Sequence, residues 1–199
     1  MFIEPQKERG WIEVVCGSMF SGKTEELIRR IKRAQIANLK IRIFKPAIDI
    51  RYDDDEVVSH DQNSVQSFPL ENPKDMIEMA AGFDVVAVDE AQFFDDSLVD
   101  VCVQLAKSKV RVIVAGLDMD FRGDPFGPMP QILSIAEYVT KVHAICIQCG
   151  DIASHTFKKI DNEQTVELGE RDLYEARCRN CFNEGMALIK SQIKLDLED

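Results

Sequence analysis

Long apolar runs are missing from this chain, and no stretch approaches the roughly 18 residues that a membrane-crossing helix requires. The first ten residues, Met1 to Gly10, are polar and lack the apolar core of a secretion signal, so a cytoplasmic protein in a reducing compartment is expected. Positive charge is also scarce. The 199 residues carry 24 Lys+Arg against 35 Asp+Glu, a net charge of −11. That shortage argues against broad binding of nucleic acid, which needs a dense field of cations. It leaves room for one locally positive pocket holding a phosphorylated ligand. No internal repeat or low-complexity tract stands out. What is present suffices for a core: 45% of residues are hydrophobic and 11 are Phe, too apolar for disorder and ordinary for one or two folded domains.

Over the first two-thirds, short apolar runs alternate with helical patterns. Trp11 to Cys16 reads as a buried strand, and Thr24 to Asn38 places Leu27, Ile28, Ile31, Ala34 and Ile36 near helical spacing. Ile41 to Phe44 is a second strand. Pro46 to Gln66, with acids at 53–56, reads as a surface loop. Asn72-Pro73 opens a helix that runs to about Ala81. Phe83 to Val88 is a strand, Asp95 to Lys107 a helix, Val110 to Ala115 a strand, Pro130 to Tyr138 a helix and Lys141 to Ile145 a last strand. Such alternation implies right-handed crossovers and a mostly parallel sheet covered on both faces. From Cys146 the texture changes: apolar runs thin out and Cys pairs appear. The expectation is an α/β domain over residues 1–145 and a small domain with a C-terminal helix over 146–199.

The sharpest motif is Gly17-Ser18-Met19-Phe20-Ser21-Gly22-Lys23-Thr24, which matches G-x-x-x-x-G-K-[ST]. Its glycines let successive amides turn inward onto an anion, and the helix that follows adds its positive end. Lys23 can reach the β- and γ-phosphates of ATP, and the Thr24 hydroxyl can coordinate Mg²⁺. A strand before the loop and an amphipathic helix after it supply the context of a P-loop NTPase. A second motif, Asp89-Glu90-Ala91-Gln92, ends the apolar strand Val85–Val88. An Asp at the carboxyl end of a parallel strand is placed to hold Mg²⁺, and Glu90 can accept the proton of an attacking hydroxyl or water. Water as the nucleophile makes an ATPase; a substrate hydroxyl makes a kinase.

Cys146-x₂-Cys149 and Cys178-x₂-Cys181 have the spacing of two thiolate knuckles around a structural Zn²⁺. Cys16 and Cys102 sit in a strand and a helix and read as small buried hydrophobes. A nucleic-acid-binding zinc ribbon with ATPase activity is an alternative to the kinase, weakened by the net acidity of the span between the Cys pairs. A nucleotide sensor without catalysis is a third.

Taken in order, these residues resemble the type II (cellular-type) thymidine kinase family. The similarity takes in the phosphate loop, Asp49-Ile50-Arg51-Tyr52, Ser59-His60-Asp61, Asp89 to Phe94, Gly116 to Gly127, both Cys pairs, and Gly169 with Tyr174. It implies a RecA-like P-loop fold with a zinc-ribbon or lasso domain, and transfer of the γ-phosphoryl of ATP to the 5′-hydroxyl of thymidine. It implies Glu90 as base, Lys23 on the phosphates, Arg51 near the transferred group, and Asp89 and Thr24 toward Mg²⁺. Met19, Phe93, Leu117, Phe121, Phe126, Thr156 and Tyr174 match positions that wall the nucleoside pocket, over which the lasso closes. A homotetramer and feedback inhibition by dTTP are implied as well. Two departures from the pattern bear on substrate preference: His155 stands where many relatives carry Arg, and the segment 165–172 is acidic.

Overall fold

The structure is a computed structural model and describes residues 9–48, 56–58, 64–159 and 173–196. In chain order the elements are β1 (Trp11–Cys16), α1 (Lys23–Ile36), β2 (Ile41–Pro46), β3 (Glu56–Val58), β4 (Ser64–Gln66), β5 (Phe68–Leu70), α2 (Met76–Met79), β6 (Val85–Val88), α3 (Ser97–Lys107), β7 (Arg111–Gly116), α4 (Met129–Ile135), β8 (Tyr138–Lys141), β9 (Ala144–Ile145), β10 (Ile152–Ala153), β11 (His155–Lys158), β12 (Tyr174–Arg177) and α5 (Arg179–Asp196). The chain divides into two compact units. One comprises Met1–Cys16, Lys23–Asp118 and Pro125–Lys141; the other comprises Gly17–Gly22, Met119–Asp124 and Val142–Asp199.

The first unit is built on a six-stranded sheet of order β5-β2-β6-β7-β1-β8, parallel at every pairing. Its inner strands are mostly apolar because a parallel sheet is covered on both faces, with Glu13, Arg42, Lys45 and Arg111 as the charged exceptions. Successive side chains alternate between those faces. Ile12, Val14, Val86, Val88, Val112 and Val114 join one cluster with Leu98, Val101, Cys102 and Leu105 of α3 and with Met129 and Ile132 of α4. Residues of the opposite parity meet α1, whose Leu27, Ile28, Ile31 and Ala34 are buried at helical spacing. On that face Glu13 is buried within β1. Its carboxylate accepts from Arg30 Nη1 at 2.7 Å and from Arg111 Nε at 2.5 Å.

Several elements depart from the sequence reading. The helix expected over 72–81 is a 3₁₀ turn, Pro73–Asp75, followed by the short α2; Asn72 caps it, accepting from the Lys74 amide at 3.0 Å. The helix expected over 130–138 starts at Met129 and stops at Ile135. Tyr138 belongs instead to β8, whose pairing with Glu13–Cys16 outweighs helical continuation. The strand expected over 141–145 is split between the end of β8 and β9. Within the loop expected over 46–66, β3 and β4 form an antiparallel ladder centred on Val57 and Val65. Strand β5 gives no periodic signal in the sequence, because it has three residues and Pro69 in the middle, tolerable only at a sheet edge. Phe68 anchors it, with its ring 6.5 Å from that of Phe44 and beneath the Arg42 guanidinium at 4.3 Å.

The second unit holds two small antiparallel pairs, β9 with β10 and β11 with β12, and the helix α5. Its core is Ala144, Cys146, Ala153, Ala176 and Cys178. Small side chains of this kind bury too little apolar area to hold a fold by themselves. Polar and aromatic contacts add to it. The Arg177 guanidinium lies 3.4 Å above the Phe157 ring and pairs with Glu175, while Phe182 packs on His155 and Phe157. Among the described residues, no helix is long and apolar enough to cross a membrane.

Candidate active site

In a parallel sheet every strand delivers its carboxyl end to the same edge, the edge where α/β proteins bind ligands. In the first unit β1 ends there in Cys16, β6 runs into Asp89-Glu90, β7 into Leu117-Asp118, and β8 ends in Lys141. Lys23, the first residue of α1, is buried. Lys141 Nζ donates to Asp118 Oδ2 at 2.5 Å. These charges are felt by Cys16: burial first, then the negative charge of Asp118, push its thiol up to about 11 against the pull of Lys141 and Lys23. The sequence alone does not single out Lys141; its signal there is a charge at the end of a short strand.

Asp89 is buried, and its Oδ1 accepts the Glu90 amide at 2.9 Å. Glu90 itself sits in the left-handed region, at φ +49° and ψ +39°. A side chain other than glycine pays about 1–3 kcal/mol of strain to stay there, and such strain concentrates at functional positions. The carboxylate of Glu90 accepts from Gln92 Nε2 at 2.5 Å. Gln92 and Ala91 are buried in the 3₁₀ turn that follows. Two of the expected pocket-wall residues meet in this unit: Phe93 and Phe126 pack edge to face with centroids 5.6 Å apart, and Phe93 remains exposed.

The second unit contains the loop Gly17–Gly22. Gly17 has φ +149°, and a Cβ there would stand 2.2 Å from the Val142 carbonyl oxygen, so only glycine fits. Ser21 Oγ donates to the Ser18 carbonyl at 2.7 Å and tightens the turn. The Met19 amide donates to Thr156 Oγ1 at 3.0 Å, which brings together two expected wall positions. Thr156 is buried in β11. Tyr174 lines a cavity of about 370 Å³ with Phe20, Ala144, Ile145, Ile147, Lys159 and others of this unit. Phe121 is exposed, with the cations of Arg122 and Lys158 at 5.3 and 5.7 Å from its ring centroid. Leu117, in the first unit, is half-buried.

The four cysteines converge. The sulfurs of Cys146, Cys149, Cys178 and Cys181 all lie within 4.8 Å of one another, with Cys149 and Cys178 3.6 Å apart. A tetrahedral Zn²⁺ with bonds near 2.3 Å asks for S–S separations of about 3.8 Å, so the donor set fits that ion. A disulfide does not fit, and all six cysteines are unbridged. At Cys146 desolvation works against the thiolate, but the amides of Cys178, Cys149 and Gln148 outweigh it and bring the thiol down to about 6. Cys181 N–H points at Cys178 Sγ, 3.5 Å away, the bond expected of a thiolate knuckle. Arg51, Asp49, the segment 59–61 and the lasso residues 160–172, Gly169 among them, lie outside the described residues.

Comparison with known proteins adds to this geometry. The family model described as thymidine kinase matches residues 10–182. The chain is similar to the thymidine kinase of Bacteroides thetaiotaomicron, at 57% identity over 90% of each chain. It is 56% identical to that of Porphyromonas gingivalis over 88% of this chain and 86% of the relative. With the thymidine kinase of a Rhodothermus species the identity is 55%, over 93% of this chain and 87% of the relative.

Proposed function

The chain belongs to the thymidine kinase family, and from that premise we propose that it transfers the γ-phosphoryl group of ATP to the 5′-hydroxyl of thymidine, giving dTMP and ADP. The observation that carries the reading is the Asp89-Glu90 pair at the carboxyl end of β6. There a carboxylate is held in a strained backbone geometry by a buried amide. Glu90 orients the 5′-hydroxyl and takes its proton as the oxygen bonds to the γ-phosphorus. The bond from that phosphorus to the β,γ-bridging oxygen breaks, and ADP leaves. Transfer of this type draws its rate from positioning and from compensation of charge on the phosphoryl oxygens.

The loop at residues 17–22 and Lys23 carry the phosphates, with Ser18, Phe20 and Ser21 offering amides between the two glycines, while Met19 belongs to the same loop with its amide held by Thr156 Oγ1. Thr24 and Asp89 would hold Mg²⁺, which would offset negative charge on the phosphates. Arg51 serves the transferred group. Met19, Phe93, Leu117, Phe121, Phe126, Thr156 and Tyr174 enclose the nucleoside and exclude water from it. Cys146, Cys149, Cys178 and Cys181 would hold a structural Zn²⁺; binding of this kind would supply the folding free energy that a small core lacks. The working division is a nucleotide-binding domain over 1–145 and a zinc-clipped lasso domain over 146–199. A cytoplasmic homotetramer inhibited by dTTP completes the proposal, supported by resemblance to the family.

The test is incubation with Mg²⁺ and γ-labelled ATP in the presence of each deoxynucleoside or of single-stranded DNA. Label in dTMP is expected, with little transfer to the purine deoxynucleosides. Phosphate release stimulated by DNA, without labelled nucleotide, would replace the kinase with a nucleic-acid-dependent ATPase.

A further inference from the structure

We infer that Gln92 is a positioning residue for phosphoryl transfer: its side-chain amide ties the Glu90 carboxylate to the main chain just beyond β7. The inference rests on the kinase reading above and deepens it. The orientation of the amide follows from its partners. The Leu117 N–H can only donate, and it donates to Gln92 Oε1 at 2.9 Å. That fixes the oxygen on the Leu117 side, so Nε2 points the other way and donates to Glu90 Oε2 at 2.5 Å. A flipped amide would set donor against donor at Leu117 and oxygen against carboxylate at Glu90.

The surroundings hold the residue in place. Gln92 is 2% exposed. A Cβ on Gly116 would come within 2.8 Å of Gln92 Oε1, and a Cβ on Gly127 within 2.3 Å of its carbonyl oxygen. Both glycines therefore let the backbone close on Gln92 with no space to spare. A buried amide is costly unless both its ends are bonded, and here one end serves the backbone while the other serves the proposed base. A hydrogen bond from a fixed donor to one carboxylate oxygen pins that oxygen and narrows the directions open to the other. Leu117 is also a proposed wall of the nucleoside pocket. One amide thus links the pocket wall to the group that must meet the 5′-hydroxyl.

A double-mutant cycle tests this. Wild type, Gln92→Met, Glu90→Gln and the double variant are compared by kcat, by KM for ATP and thymidine, and by melting temperature. Methionine keeps the volume and loses both hydrogen bonds. Gln92→Glu, as a second variant, keeps an acceptor for Leu117 N–H but sets a second carboxyl group against Glu90 in place of the amide donor, so the pair meets charge repulsion or shares a proton. Each Gln92 variant is expected to lose about thirtyfold in kcat with both KM values within about twofold, because one charge-assisted bond and the aim of the base are lost. In the Glu90→Gln background, Gln92→Met is expected to change kcat by less than about twofold, since residues acting as a unit are not additive. Factors that multiply in the double variant, or a Gln92→Glu enzyme at wild-type kcat, overturn the inference while wild type makes dTMP. A wild type that makes no dTMP overturns the kinase reading and this inference with it.

Discussion

Replacing Glu13 by Gln removes a negative charge shared by two buried guanidinium groups. The side chains involved are almost inaccessible: Glu13 is 2% exposed, Arg30 3% and Arg111 6%. The carboxylate takes one bond from each arginine and a third from Trp11 Nε1 at 2.8 Å. Glutamine has the same shape but one acceptor instead of two, and its NH₂ would face an arginine. Breaking a buried ion pair from one side costs about 3–5 kcal/mol. Arg30 retains the carboxylate of Glu26 at 2.9 Å, which is only partly buried, so the lower end applies. We therefore expect about 3 kcal/mol. In a chain of this size each kcal/mol moves the melting point by roughly 2–4 °C, giving a drop of about 6–12 °C. Calorimetry and urea unfolding read this directly. The volume-matched triple variant Glu13→Leu, Arg30→Met, Arg111→Leu is expected to recover to within about 1 kcal/mol of wild type, since the apolar substitute avoids desolvating charge. A Glu13→Gln protein less than about 1 kcal/mol weaker than wild type would refute the claim that this cluster depends on its central charge.

Metal analysis of purified protein is expected to find one zinc per chain. Cys149→Ser or a strong chelator should lower the melting transition, and an unchanged transition would remove the metal from the fold. Burial raises the thiols of Cys16 to about 11 and of Cys102 to about 12. At pH 8 each is therefore thiolate in no more than about one molecule in a thousand, and both should resist alkylation in the native state. With folded values above the ordinary 9, they favour the fold fully below about pH 9 and lose that contribution as pH rises through 11 and 12. Rapid native labelling of either at pH 8 would contradict their burial. Gly127→Ala, at φ +50° and with a Cβ 2.3 Å from the Gln92 carbonyl, should cost about 1–3 kcal/mol in urea unfolding. A neutral substitution there would mean that the close approach is relaxed.

What could be read in the sequence was whatever its own neighbours determine. Trp11–Cys16 announces itself as a strand because five of its six residues are apolar, and the phosphate loop and the cysteine pairs carry their spacing openly. The acid pair after Val88 was equally plain. The rest depended on partners far along the chain. Glu13 is one polar residue in an apolar strand, and its meaning comes from Arg111, 98 positions away. Gln92 was grouped with the phosphate-site motif, but nothing nearby signals that its oxygen faces Leu117, 25 positions on. Lys141 gains its role only when β8 lines up against β1 and brings it to Asp118. Strand β5 was hidden because three residues with a central proline make no periodic signal, while sheet pairing and the Phe44 contact hold them in place.

The central claim is that Glu90 takes the proton of the thymidine 5′-hydroxyl, and single-turnover transfer by Glu90→Gln, measured beside ATP and thymidine binding, tests it most directly. Both ligands should bind within a few-fold of wild type while formation of dTMP slows about a hundred- to ten-thousandfold, the usual weight of a general base. A Glu90→Gln enzyme that makes dTMP at the wild-type rate would contradict the account.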